Sequence, residues 1–227
     1  DQPSWQHQMI KAPIVIPPDA LLPRLLEKAI ESAKNADAVI NFSYDWLPIW
    51  ITQKVHANFF HLISMGGVSE VMRKVVEDLS QTNHLRLAFH TYRQASDYQL
   101  VDEPIVVGNG LDLNNYKFQS DNRGPLGWAG RVAPEKGLED AVAVASALEN
   151  PLFVWGLVED QSYAAEIESA ALSGLINWRG FLPTDQLQRE MGACRALLNT
   201  PKWNEAYGNV VVEALACGVP VVAYDRG

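Results

Sequence analysis

Cysteine is scarce in this sequence. Its 227 residues include only Cys194 and Cys217, and neither belongs to a C-x-x-C pair or a Cys/His cluster of zinc-ligand spacing. A disulfide framework and a structural zinc module are thereby excluded, and the two free thiols point to a reducing cytoplasm. No run of 18 apolar residues occurs and no signal peptide opens the chain, so no integral membrane segment is expected. Positive charge is also in short supply: 18 Lys and Arg against 27 Asp and Glu leave a net charge of -9. That balance argues against nucleic acid as a partner, and basic residues must act locally, one phosphate at a time. No Asp-x-Asp step is present to hold a metal.

What the chain does contain is an ordinary globular composition, 48% apolar and 20% charged, with length enough for two small domains. Asp1 to Asp19 is Pro-rich and reads as irregular. The missing initiator Met, and an end at Tyr224 to Gly227 where a strand hands over to a loop, are those expected of a fragment.

Beyond residue 20 the sequence alternates. Ala20 to Asn35 has helical apolar spacing, and Ala38 to Phe42 reads as a short buried strand. Phe59 to Met65, Leu85 to His90 and Ile105 to Val107 are further strands, with helices over Val68 to Leu79 and Thr91 to Tyr98. After a polar stretch the series resumes: strands Leu126 to Ala129, Leu152 to Trp155, Ile176 to Trp178, Ala196 to Leu198 and Val219 to Ala223, separated by helices. Such alternation predicts an α/β fold with two parallel sheets covered by helices. The polar stretch places an interdomain linker at 109–123, between a first half at 1–108 and a second at 124–227.

Asn199 to Ala223 organises the rest. Glu205 lies in a polar loop with Ala206 and Tyr207, Gly208 and Asn209 lead into an apolar helix, and Glu213 sits one to two turns inside it. The start of that helix offers backbone N–H groups and the positive end of a dipole to an anion. Gly130 to Gly137 follows a strand and carries Arg131 and Lys136, two cations beside a glycine that admits a ligand to the backbone.

The spacing of Glu205 and Glu213, with the following G-x-P and strand, resembles the signature of family-four retaining glycosyltransferases of the GT-B fold. The resemblance implies two Rossmann-like halves facing across a cleft, each partial in this chain. It assigns Arg131 and Lys136 to the donor diphosphate, Glu213 to the ribose hydroxyls, and Glu205 to the transferred sugar. Gly130, Gly156, Phe181, Leu182, Ala206, Tyr207, Gly208 and Asn209 complete the expected donor site, the main chain near Phe181 meeting the uracil. Catalysis then rests on Glu205, Arg131 and Lys136, with no metal and no cofactor beyond a UDP-sugar substrate. Asn109 to Asp112 also matches the family's N-G-V-D crossover step.

In the first half the family's glycine-rich loop and its strand-end histidine are not found. His61 falls in mid-strand and is read as a core histidine in preference to a catalytic one. Tyr44, Asp45 and Trp46 set aromatic rings beside a carboxylate, and Met65 and Gly66 end the next strand. These five are the candidate acceptor site, able to stack on and bond a flat heterocycle; the same rings fit buried packing equally. With Thr200 to Asn209 (TPKWNEAYGN), these segments resemble cyanobacterial UDP-glucose:tetrahydrobiopterin glucosyltransferases, which implies glucose as donor sugar and a reduced pterin as acceptor. A lipid or polysaccharide acceptor on the same fold, and a nucleotide-sugar-binding module without turnover, are the alternatives.

Overall fold

The computed structural model describes residues 20–121 and 123–226. The Pro-rich stretch Asp1 to Asp19 lies outside the described residues. The chain divides into two compact units, Asp1–Asn109 and Gly110–Gly227.

In the first unit, helix α1 (Leu21–Ser32) leads to strand β1 (Val39–Asn41), then α2 (Trp46–Thr52), β2 (Phe59–Ile63), α3 (Glu70–Asn83), β3 (Leu87–Phe89), the single turn α4 (Tyr92–Ala95) and β4 (Ile105–Val106). The four strands are parallel and lie in the order β1-β2-β3-β4. Ile63, Leu87 and Phe89 of the sheet pack with Met72, Val76 and Leu79 of α3 in one apolar cluster. Full burial of each such side chain contributes roughly 1.5–3 kcal/mol.

Helix α2 has no counterpart in the sequence reading. Asp45 starts it by accepting a hydrogen bond from Leu47 N at 2.8 Å, the local device that favours Asp at this position. Its residues are too uniformly apolar to show helical spacing. The helix expected over Thr91 to Tyr98 is reduced to one turn, capped by Thr91 through Gln94 N at 3.0 Å.

The second unit contains β5 (Leu126–Ala129), α5 (Leu138–Ala147), β6 (Leu152–Trp155), α6 (Gln161–Ala170), β7 (Ile176–Gly180), α7 (Thr184–Gly192), β8 (Ala196–Asn199), α8 (Asn209–Ala216) and β9 (Val221–Ala223). All pairings are parallel, in the order β7-β6-β5-β8-β9. Neighbouring strand residues alternate between two clusters. Leu152, Val154 and Leu198 enter one, while Trp155 and Leu197 enter the other. The central strands β5, β6 and β8 are covered on both faces and are accordingly largely apolar, whereas β7 at one edge (Ile176–Gly180) carries Asn177 and Arg179 and is mostly exposed.

Most of the stretch 109–123 is attached to this second unit. Tyr116 packs against the cluster containing Met191 and Cys217, Gln119 N donates to Cys217 O at 2.9 Å, and Gly124 N donates to Ala193 O at 3.1 Å.

Candidate active site

Strand order sets the location. From β5 the chain crosses to β6 and β7 on one side, then returns to place β8 on the other. This is a topological switch point, where open parallel sheets leave a crevice beyond their carboxyl ends. The loop after β5 carries Arg131 and Lys136, and the loop after β8 carries Glu205.

These two loops are held in contact by buried polar groups. Trp128 Nε1 donates to Thr200 Oγ1 at 3.2 Å, and that hydroxyl donates to Gly137 O at 2.7 Å. Lys202 N donates to Glu135 O at 2.8 Å. Gly137 is left-handed, with φ +64°, and a Cβ there would lie 2.1 Å from Thr200 O. Only glycine allows that approach.

The contact brings together charges 69 residues apart. Lys136 Nζ pairs with Glu205 Oε1, which also accepts from Trp203 Nε1 at 2.8 Å. Lys136 Nζ stands 4.7 Å from the Trp203 ring centroid, and Arg131 Cζ stands 5.9 Å from it. Arg131 itself is paired with Glu159 and with Glu135, the latter at 3.1 Å.

Beside these charges lies a cavity of about 310 Å³, bounded by the ends of β5 and β6, the segment after β7 and the start of α8. Among its lining residues are Gly130, Arg131, Gly156, Phe181, Leu182, Asn209 and Glu213. Phe181 is 69% exposed at the rim. Glu213 has its pKa raised, first by burial and against a hydrogen bond from Tyr116 Oη, which stands 3.4 Å from Oε1. Ala206, Tyr207 and Gly208 form the loop into α8. Gly208 is its N-cap and supplies no side-chain acceptor, which leaves the helix start suited to an external anion.

Of the donor-site expectations, the structure therefore gathers Gly130, Arg131, Gly156, Phe181, Leu182, Asn209 and Glu213 around one cavity, and sets Lys136 and Glu205 on each other. Trp203, Glu159 and Tyr116 were not singled out from sequence. Trp203 had one available signal, an indole two residues before Glu205. Glu159 had none, because its partner is 28 residues away.

In the first unit Tyr44 Oη donates to Gly66 O at 2.7 Å, and Tyr98 Oη donates to Met65 O at 3.0 Å. Tyr44, Met65 and Gly66 are thus brought together by a structural hydrogen-bond set. Asp45 caps α2, and its pKa is raised by burial against the Leu47 hydrogen bond. Trp46 packs on the core and lies 6.4 Å from the Trp50 ring. His61 is buried; its Nδ1 faces Asn41 Nδ2 at 3.1 Å, and its Nε2 lies 3.0 Å from Thr52 Oγ1. Since Thr52 Oγ1 donates to Pro48 O, a neutral His61 protonated at Nε2 satisfies every partner. Burial, then the charge of Arg86, lowers its pKa to about 4. These are the partners of a core histidine.

Among the described residues no helix is long and apolar enough to cross a membrane. Residues 115–227 match the family model described as glycosyl transferases group 1. A 2-deoxystreptamine N-acetyl-D-glucosaminyltransferase of Streptomyces fradiae is 36% identical over 110 residues, 45% of this chain and 26% of that protein. A 2-deoxystreptamine glucosyltransferase of Streptomyces kanamyceticus is 38% identical over 108 residues, again 45% of this chain and 28% of that protein. These matches span about a quarter of each relative's length. The crystal structure of Anabaena HepE in complex with UDP and glucose superposes with a TM-score of 0.74 at 21% identity, over 92% of this chain and 66% of that one. The two parallel α/β sheets are those of GT-B glycosyltransferases. Over residues 115–227 the chain is similar to the glycosyl transferases group 1 family.

Proposed function

We propose that the protein is a retaining glycosyltransferase that moves glucose from UDP-glucose to a small hydroxyl-bearing acceptor, with tetrahydrobiopterin the acceptor to test first. The observation that carries this reading is the pairing of Lys136 with Glu205, on the same two loops whose neighbours Arg131 and Glu213 line the cavity. A catalytic site for a nucleotide sugar needs cations at the diphosphate, a carboxylate at the ribose and another at the sugar, and this crevice supplies all three.

In the proposed reaction the diphosphate lies against Arg131, Lys136 and the start of α8. Glu213 accepts from the ribose hydroxyls, and the base meets the main chain near Phe181 and Leu182. The bond from the sugar's anomeric carbon to UDP breaks while the acceptor oxygen forms a bond on the same face. The acceptor's proton passes to the departing phosphate oxygen. Charge gathers on the diphosphate, where fixed cations and backbone dipoles stabilise it without reorganising. Glu205 orients the sugar and stabilises the oxocarbenium-like transition state. This chemistry needs no metal and no further cofactor.

A small acceptor is supported by two curated relatives named for 2-deoxystreptamine. The pterin itself is supported only by the resemblance of the first-unit and Thr200 to Asn209 segments. The test is UDP release from UDP-glucose with and without tetrahydrobiopterin, in the wild type and in Lys136→Ala. Release that depends on the pterin and disappears in the variant is expected. Release indifferent to the pterin removes that acceptor and keeps the transferase. UDP binding with no release from any nucleotide sugar overturns the enzymatic reading.

A further inference from the structure

Trp203 touches both of the charges that the proposed reaction uses. Its Nε1 donates to Glu205 Oε1 at 2.8 Å, and its ring stands 4.7 Å from Lys136 Nζ. The ammonium of Lys136 meets the same Oε1. The Lys136 and Glu205 side chains are only 20% and 18% exposed, so water replaces lost partners poorly there and an unmet charge is costly.

Lys136 faces two competing anions. One is Glu205, which holds it in this structure; the other, on the glycosyl-transfer reading, is the donor's diphosphate. A bound diphosphate draws the ammonium away and strips Glu205 of one of its two donors on Oε1. The indole N–H carries no net charge and is fixed on a rigid ring, so a phosphate draws on it far less than on the ammonium, and it stays on Glu205. The ring face also attracts the ammonium, since a cation over the indole within about 6 Å of its centroid is drawn by the ring quadrupole. It can hold Lys136 near both anions.

We propose that Trp203 is a positioning residue: it keeps Glu205 aimed at the sugar while Lys136 transfers to the diphosphate. The inference rests on the glycosyl-transfer reading. It differs from a packing role in depending on one N–H and on Glu205.

The experiment compares wild type, Trp203→Phe, Glu205→Gln and the double variant. It reads UDP and UDP-glucose affinity by calorimetry, and turnover of UDP-glucose. Trp203→Phe keeps a ring for Lys136 and removes only the N–H. UDP affinity is expected within about twofold of wild type, while the gain in affinity of UDP-glucose over UDP falls about threefold, the KM for UDP-glucose rises by a similar factor and kcat falls about tenfold. In the Glu205→Gln background the same change is expected to cost less than about twofold, since the two residues act as one unit. An equal loss in both backgrounds makes Trp203 a packing residue and overturns the proposal, as does an unchanged kcat with an unchanged UDP-glucose preference. A wild type that binds no UDP sinks the glycosyl-transfer reading, and this proposal with it. A wild type that binds UDP, with Trp203→Phe indistinguishable from it, sinks the Trp203 role alone.

Discussion

The carbonyl oxygen of Gly130 fills the space where a side chain on Gly156 would begin: an ideal Cβ on Gly156 would lie 1.8 Å from it. Gly156 has φ +138°, its N donates to Gly180 O at 2.9 Å, and Gly130 N donates to Trp155 O at 3.0 Å. The ends of three neighbouring strands are thereby stitched together beside the cavity. Gly156 was expected from sequence to admit a ligand; here the chain's own backbone takes up the room its missing side chain leaves.

Gly156→Ala is therefore expected to destabilise the protein by on the order of 3 kcal/mol, through backbone strain and a main-chain clash together. Urea unfolding followed by circular dichroism measures this. A change below about 1 kcal/mol would show that the crossing relaxes freely.

Arg131 is held by Glu135 and Glu159, so in the proposed reaction a diphosphate competes with protein carboxylates for it. Replacing Glu159 by Gln removes one competitor and is expected to tighten UDP binding by about threefold, a modest gain because the pair is partly solvated. Calorimetry with UDP decides the matter. Weaker binding would mean that Glu159 orients the guanidinium and does not compete for it.

His61 makes stability depend on pH. Its pKa is about 4 in the folded protein and that of an ordinary histidine when unfolded. Between those values the unfolded chain binds a proton that the folded chain refuses, so stability is full above about pH 6.5 and falls as pH drops toward about 4, by on the order of 3 kcal/mol. His61→Gln, which keeps hydrogen-bonding groups near Asn41 and Thr52, is expected to flatten this slope. Denaturant midpoints at about pH 7 and about pH 5 measure it, and equal slopes in both proteins would discard the assignment.

Asp45 separates a cap from an acceptor contact. Asp45→Asn retains an oxygen for Leu47 N and should leave stability nearly unchanged, whereas Asp45→Ala should cost about 1 kcal/mol. If the Asp45 charge also binds the acceptor, Asp45→Asn will raise the acceptor KM several-fold with normal stability. An unchanged KM would leave Asp45 purely a helix cap.

Local chemistry in the sequence determined most of the element order. Apolar runs such as Leu152 to Trp155 predict buried strands because parallel sheets covered on both faces need apolar residues at every position. The spacing from Glu205 to Glu213, and Arg131 and Lys136 after a strand, marked the site by short-range pattern alone. Helix α2 escaped because Trp46 to Thr52 has no polar face to reveal its period. Its cap, Asp45, shows in the sequence only as a carboxylate beside aromatic rings, because nothing there signals that Leu47 N bonds to it.

The pairings that give these residues their chemistry were decided only in three dimensions. Nothing along the chain says that Lys136 meets Glu205, that Arg131 meets Glu159, or that His61 lies between Asn41 and Thr52. Each depends on strand order and on close backbone approaches such as Gly137 to Thr200. Sequence spacing reports what a residue can do for its neighbours within a few positions. Which distant charge it faces is set by how the sheet is wound, and that is what sets Glu159 on Arg131 and Glu205 on Lys136.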